Sequence, residues 1–340
     1  PNCNLETLIL PNLLNIPVEK PLSNRWPTAF KRASLGLMLV IGLGLSLGGY
    51  LFAKTAASER ADNQQALATK AYKSVLEQFL EEEVSMLSAI GAFYRATNEV
   101  TRRDFHTLTN YLLGKSNFTQ ALEWIPRVPA VARTAMEAAA RSEGLNGFQF
   151  TERSLSGKII AAGERAEYFP VYFLNPLAGN EPALGFDLAS NPTRLEAIRK
   201  AKNTGKLIVS GRIKLVQETT KQFGVLAFLP IYRSGRSIET LEKRRKNLVG
   251  FALSVIRIGE LVKQSLSKEP RFKDFSVTVI DASAQRKDRI LYPYDRDAEG
   301  SANLSDAILQ MRTGSHQWFD IPFGDRTWSV IFKPAPGIPK

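Results

Sequence analysis

Residues 33 to 53, ASLGLMLVIGLGLSLGGYLFA, form an unbroken stretch of 21 residues without a charged side chain. As a helix rising about 1.5 Å per residue, it is long enough to span the ~30 Å hydrocarbon core of a bilayer. A cleaved signal peptide would carry an apolar region of only about 7–15 residues, and no clear small-x-small cleavage pattern follows at once. The segment is therefore read as a retained transmembrane helix. Lys20, Arg25, Lys31 and Arg32 precede it, whereas only Lys54 follows closely before Glu59 and Arg60. That bias puts segment 1–32 in the cytoplasm and everything after residue 53 outside. The single cysteine, Cys3, falls on the reducing side, and the exported part has no thiol to mispair. This distribution suits a protein of the bacterial inner membrane with a periplasmic domain. Gly44 and Gly48 form a small-xxx-small pair that could let two such helices pack closely, although glycine is also common in membrane helices; a homodimer is expected.

The exported part is long enough for two compact units. From Lys54 to about residue 98 the chain has no proline and one glycine, and reads as a stalk helix continuing the membrane segment. Tyr72, Phe79, Met86 and Phe93 recur every seven residues, joined by Leu80, Leu87 and Tyr94. This apolar seam must be buried on the following domains, on a partner's copy of the helix, or on both. Thr101 with Asp104 resembles a capping box opening a short helix that Gly114 ends. Strand-like runs then alternate irregularly with helices: QALEWIPRVP, FQFTER, EYFPVYFLNP, PALGFDLA, LIVSGRIKLVQ, FGVLAFLPIYRS and NLVGFALSVI, with helices at 130–144 and 192–203. The second helix has Pro192 just inside its start and Gly205 just past its end. After a connecting helix at 258–268, FSVTVIDAS, DRILYPYD, HQWFDIPFG and RTWSVIFKP suggest a smaller second sheet, with a helix at 303–314. The pattern favours an α+β fold over a doubly wound one.

Several function classes are disfavoured. Lys and Arg total 45 against 33 Asp and Glu, a net charge of +12. No basic stripe interleaved with stacking aromatics accompanies that charge, so nucleic acid is not an expected partner. The densest basic run, EKRRKN at 242–247, reads as a solvated loop. One cysteine and two isolated histidines, His106 and His316, leave no pattern for a zinc enzyme or a histidine-based triad. No dinucleotide or phosphate-loop fingerprint is present, and no cofactor is expected.

The order of parts, and the blocks ALEWIPRVP, YFPVYFLNP, GFDLASNPTRLEAIRKAKNTGKLIVSGRIKLV and FGVLAFLPIYR, resemble the CHASE domain. That is the extracytoplasmic sensor module of plant cytokinin receptors and many bacterial membrane receptors. The resemblance implies a stalk helix followed by two PAS-like mixed α/β sensor domains, placed here at 99–258 (membrane-distal, ligand-binding) and 259–340 (membrane-proximal). It implies ligand contact at Asp187, matching an aspartate that hydrogen-bonds adenine in plant members. It further implies a pocket wall at Leu207 to Ser210, with backbone contact at Val209, and a tail contact near Thr219 or Thr220. A small-molecule ligand is expected, a cytokinin-like adenine derivative or another compound. The output domain is expected beyond residue 340, after a second membrane helix: a histidine kinase of a two-component system, or a diguanylate cyclase. A membrane-anchored binding protein without output is the alternative. No catalytic domain is recognised within the 340 residues.

Read without the family, Asp187 sits among small residues, Ala183, Gly185 and Ala189, opposite Leu184, Phe186 and Leu188 on an expected strand. Such a face leaves space beside a carboxylate, which needs partners if buried. A ligand would satisfy it. So would backbone N–H groups of the ASNP turn, or a basic residue such as Arg212. A catalytic role would need a second acid, for which Glu181 and Glu196 are poorly placed.

Overall fold

The computed structural model describes residues 28–97, 99–116, 118–215, 223–285, 288–292 and 317–334. The expected helix at 303–314, His316 and segment 1–27 lie outside them. Helix α1 runs from Thr28 to Ala96 without a break. Residues 1–60 and 61–340 are two compact units. In the first, the side chains from Leu35 to Phe52 are solvent-exposed, and α1 is long and apolar enough to cross a membrane.

In the second unit, α2 (Arg102–Leu113) opens with the expected capping box: Asp104 N–H donates to the Thr101 hydroxyl, and Thr101 N–H donates to the Asp104 carboxylate at 3.1 Å. Then come β1 (Thr119–Pro126), β2 (Val128–Pro129), α3 (Arg133–Ser142), β3 (Thr151–Arg153), β4 (Ile159–Ala161), β5 (Glu167–Tyr168) and β6 (Phe173–Asn175). Helix α4 (Pro192–Thr204) is followed by β7 (Ile208–Val209), β8 (Gly224–Tyr232), α5 (Leu241–Asn247) and β9 (Leu248–Arg257). Helix α6 (Ile258–Ser267) leads to β10 (Phe275–Asp281), β11 (Ile290–Tyr292), β12 (Gln317–Phe323) and β13 (Arg326–Pro334).

Two antiparallel sheets result. The first has strand order β6-β1-β9-β8-β7, the second β11-β10-β13-β12. Successive side chains of a strand point to opposite faces, and both faces of the first sheet are covered. On one face Leu122, Trp124, Val225, Ala227, Ala252 and Ile256 join the stalk part of α1 in one core. On the other, Ala121, Ile125, Phe228, Phe251 and Leu253 pack with Ala197, Ile198 and Ala201 of α4.

The α1 seam is buried on its own chain. Tyr72 stacks on Phe332 of the second sheet with ring centroids 4.8 Å apart, and its hydroxyl lies 2.8 Å from Ser265 Oγ of α6. Phe79 stacks on Phe118 at 4.8 Å, and Tyr94 on Trp124 of β1 at 3.9 Å. One helix therefore ties both sheets together. Two expectations give way. EKRRKN is not a loop but most of α5, whose N-terminus is capped by the Thr240 side chain. Its arginines have partners on the α4 end: Arg244 Nε donates to the Asn203 carbonyl at 2.5 Å and Arg245 Nε to the Asn203 side chain at 2.9 Å. The strand expected at PALGFDLA is instead two 3-10 turns, Glu181–Ala183 and Leu188–Ser190. Gly185 between them has φ +79°, and a Cβ there would lie 2.5 Å from the Gln149 carbonyl oxygen. Only glycine permits that backbone and that close approach.

An acid interrupts the apolar packing between α1 and the first sheet. Glu83 is fully buried and accepts hydrogen bonds from Thr119 of β1 and Ser254 of β9. Burial pushes its carboxyl up to about 7, against the two hydroxyls. A raised carboxyl favours the folded state most below its unfolded value near 4.5, and that contribution is lost as pH rises towards 7. Glu83→Gln keeps an acceptor for one hydroxyl and removes the charge. The free energy of urea unfolding should therefore fall less between pH 5 and pH 8 in the variant than in wild type, by an amount no larger than about 3 kcal/mol. Equal slopes in the two proteins would refute this account of Glu83.

Candidate functional site

The α4 face of the first sheet is not entirely apolar. On β1, Ala121, Glu123 and Ile125 point to that face, so the strand places a glutamate between two core residues. Glu123 is 2% exposed, and its backbone pairs with Leu253 of β9 on one side and Leu174 of β6 on the other. Arg194 approaches from α4. It stands in the first turn, after the Asn191 cap and Pro192, and is 5% exposed. The two side chains line one cleft, with Val171, Ala183, Phe186, Leu188, Leu215, Leu226 and Val255 as its apolar walls. The enclosed space is small, a cavity of about 10 Å³, room for about one water.

Buried charges are usually paired and hydrogen-bonded. Burial pushes the Glu123 carboxyl up to about 8 despite the pull of Arg194. Arg194 Nη2 donates to the Lys214 carbonyl at 3.3 Å, and the guanidinium lies 5.0 Å from the Phe186 ring centroid. Its Nε is buried without a partner. Burial lowers its pKa to about 10, and Glu123 acts against that. The two groups are close enough to feel each other's charge but do not form an ion pair. No acid occupies the first turn of α4, so its backbone N–H dipoles add to the positive potential at this end of the cleft.

Asp187 stands elsewhere. It is fully buried, and its carboxylate is already supplied with donors. Oδ1 accepts from Phe169 N–H at 2.8 Å and Ala189 N–H at 3.2 Å, and Oδ2 pairs with Arg165, which also holds Glu152. Burial still raises its pKa, with the Phe169 amide and Arg165 opposing. Of the partners anticipated from sequence, the turn amide of Ala189 is present. The basic partner is Arg165 rather than Arg212, whose Nη1 donates to the Ile290 carbonyl at 3.0 Å and which pairs with Asp288. Asp187 is not among the residues lining the cleft, whereas Ala183, Phe186 and Leu188 are.

Leu207, Val209 and Ser210 come together at the edge of the first sheet. Val209 gives its N–H to Asp325 Oδ1 at 3.0 Å and receives Arg326 Nε at its carbonyl at 2.6 Å. Arg326 in turn bonds Asp281 at 2.5 Å. The β12–β13 turn thus grips β7, and Gly324, with φ +61°, lies so close that a Cβ would be 2.8 Å from Val209 Cγ2. The Ser210 hydroxyl receives Leu226 N–H at 3.0 Å and donates to the Gly211 carbonyl at 2.8 Å. Thr219 and Thr220 lie outside the described residues. Sequence reasoning missed both Glu123 and Arg194. A signal was available: a lone acid inside the otherwise apolar LEWIP strand. No clusters of His, Cys, Asp or Glu suited to a metal ion occur among the described residues.

Residues 98–292 match the CHASE domain family. Among curated proteins, hybrid signal transduction histidine kinase A of Dictyostelium discoideum is 22% identical over 228 residues, 64% of this chain. The chain spans 11% of that relative's length. Similar solved structures include the ligand-binding domain of the amino acid chemoreceptor PctC of Pseudomonas aeruginosa PAO1 in complex with GABA. It is 11% identical, with a TM-score of 0.42 over 79% of this chain and 96% of that one. The ligand-binding domain of the Campylobacter jejuni chemoreceptor Tlp3 in complex with L-valine is 13% identical, with a TM-score of 0.41 over 84% and 96%. At such scores the likeness is loose, and nothing about a ligand follows from it.

The Asp187 cluster is expected to act in stability. Arg165→Leu leaves Glu152 and Asp187 without their shared cation, and should cost about 3 kcal/mol in urea denaturation at pH 7. The double variant Arg165→Leu/Asp187→Asn should recover part of that loss. A single variant as stable as wild type would remove the cluster's structural role.

Proposed function

The chain belongs to the CHASE domain family, and on that premise we propose that it is the small-molecule-sensing region of a bacterial transmembrane receptor. Residues 33–53 cross the inner membrane with segment 1–32 in the cytoplasm. The two sheets form PAS-like units in the periplasm, the first binding the ligand and the second lying nearer the membrane. The receptor works as a homodimer and signals to a cytoplasmic output, a histidine kinase as in the curated relative. The observation that supports the ligand site is the cleft between β1 and α4 where buried Glu123 and Arg194 meet and Arg194 Nε is left without a partner.

Two routes lead away from that cleft. Leu226 lines it, and its N–H and C=O bond Ser210, next to the Val209 that Asp325 and Arg326 hold. On the opposite face, β1 and β9 carry the hydroxyls that bind Glu83 of the stalk. A ligand that prefers one arrangement of these strands biases the stalk by its difference in affinity for the two states, about 1.4 kcal/mol for each tenfold. Asp187 serves this site indirectly, by fixing the turns that present Ala183, Phe186 and Leu188 to the cleft.

A thermal-shift screen of small metabolites, adenine derivatives included, on the 340-residue chain in detergent tests the site. Active compounds should raise the melting temperature of wild type by several degrees, about 2–4 °C per kcal/mol of linkage. Ala183→Leu fills the cleft from one wall and should abolish the shift while leaving the far-UV circular dichroism unchanged. Compounds that stabilise both proteins equally would place the ligand elsewhere.

A further inference from the structure

Glu83 puts a carboxyl where the stalk part of α1 meets the first sheet, and the groups around it suit both of its protonation states. Its side chain is fully buried. Thr119 of β1 donates to Oε1 and Ser254 of β9 to Oε2, so an ionised Glu83 has a donor on each oxygen. A hydroxyl also accepts, and its hydrogen turns about the C–O bond. The Thr119 hydroxyl lies 2.7 Å from Ser116 Oγ, with either atom able to donate. An un-ionised Glu83 can therefore donate to Thr119 while Thr119 donates to Ser116, with every heavy atom in place. Ser116 is half-buried in the loop between α2 and β1, so the chain of hydroxyls runs from near the solvent to the carboxyl. The sheet face against α1, formed by Leu122, Trp124, Val225, Ala227, Ala252 and Ile256 beside Ser254, is without ionisable side chains among the described residues. The buried faces of α2 and α6 are likewise uncharged. The charges nearby are Glu82, next to it on α1 and of the same sign, and Lys268 at the end of α6, whose Nζ lies 5.2 Å from the Phe79 ring one turn away.

We infer that Glu83 is a proton-binding site filled from solvent through Ser116 and Thr119, and that loss of its proton loosens the stalk from the first sheet. This goes beyond the ligand reading and stands whether or not the cleft between β1 and α4 takes a small molecule. In uptake, a proton from water binds Ser116 Oγ, the Ser116 proton passes to Thr119 Oγ1, and the Thr119 proton passes to Glu83 Oε1. Each hydroxyl loses one O–H bond and gains one, and the net change is one proton moved from solvent to the carboxylate. Burial, opposed by the two hydroxyls, pushes the docked carboxyl up to about 7, whereas an undocked stalk would give it to water at its ordinary value near 4.5. The docked state thus binds the proton more tightly, and by linkage the proton favours docking. That bias is complete below about 4.5 and is lost as pH rises through about 7. Between pH 6 and pH 8 the docking equilibrium should change roughly tenfold.

The test uses the 340-residue chain in detergent, with difference infrared spectroscopy and amide hydrogen exchange as readouts. In wild type a carbonyl band of un-ionised carboxylic acid should be lost on raising the pH, with a midpoint near 7. That band should be missing in Glu83→Gln, in which any band from Glu123 persists. Thr119→Val removes one donor to the carboxylate and should move the midpoint up, which assigns the band to Glu83 even if Glu83→Gln fails to fold. Ser116→Val breaks the hydroxyl chain at its outer link, and should slow proton uptake after a pH jump while leaving the midpoint in place. Amide exchange across residues 79–90, corrected for the intrinsic effect of pH, should be roughly tenfold faster at pH 8 than at pH 6 in wild type. In Glu83→Gln it should be equal at the two. A wild type without the band, a band shared with Glu83→Gln, or a midpoint unmoved by Thr119→Val would overturn the proton site. An uptake rate unchanged in Ser116→Val would overturn the path. Stalk exchange with the same pH dependence in wild type and Glu83→Gln would overturn the loosening.

Discussion

The fold depends on burying the first sheet from both sides. Strands β1, β8 and β9 carry large apolar side chains on each face, and neither face can be left to water. The stalk part of α1 covers one and α4 the other. The α1 seam continues past the first sheet to the second, where Tyr72 enters the cluster of Phe272, Phe319 and Phe332. A single rigid helix thus belongs to both cores.

The two covered faces include buried acids, Glu83 and Glu123, with different surroundings. Glu83 points from the helix at hydroxyls of β1 and β9, and its acceptor capacity is used. Glu123 points from β1 at the α4 side and meets a cleft with an arginine across it. Both are desolvated, so both carboxyls are pushed up, Glu83 against the two hydroxyls and Glu123 against the pull of Arg194. Asp187 resembles Glu83 more than Glu123: two amides and an arginine satisfy it.

Much of this was legible in the sequence. The apolar length of 33–53, the unbroken stalk with its seam at Tyr72, Phe79 and Met86, the capping box at Thr101 and the α4 boundaries at Pro192 and Gly205 all rest on local rules. The structure follows them. Local rules failed where the long-range context won. Alternation in PALGFDLA suggested a strand, but the close approach of Gln149 to Gly185 folds the segment into turns. The basic run at 242–247 looked like a loop because its charges suit solvent, yet contacts to Asn203 and the Thr240 cap make it helical.

The sequence by itself determined the class of this protein: helix periods, strand periods and family blocks depend on residues close along the chain. Which groups each buried acid meets was decided only by the tertiary structure. Arg165 lies 22 residues before Asp187, and Arg194 lies on a different element from Glu123. Partnership between charges depends on distance in space, which no local pattern encodes, and so the structure alone shows which groups each buried carboxylate meets.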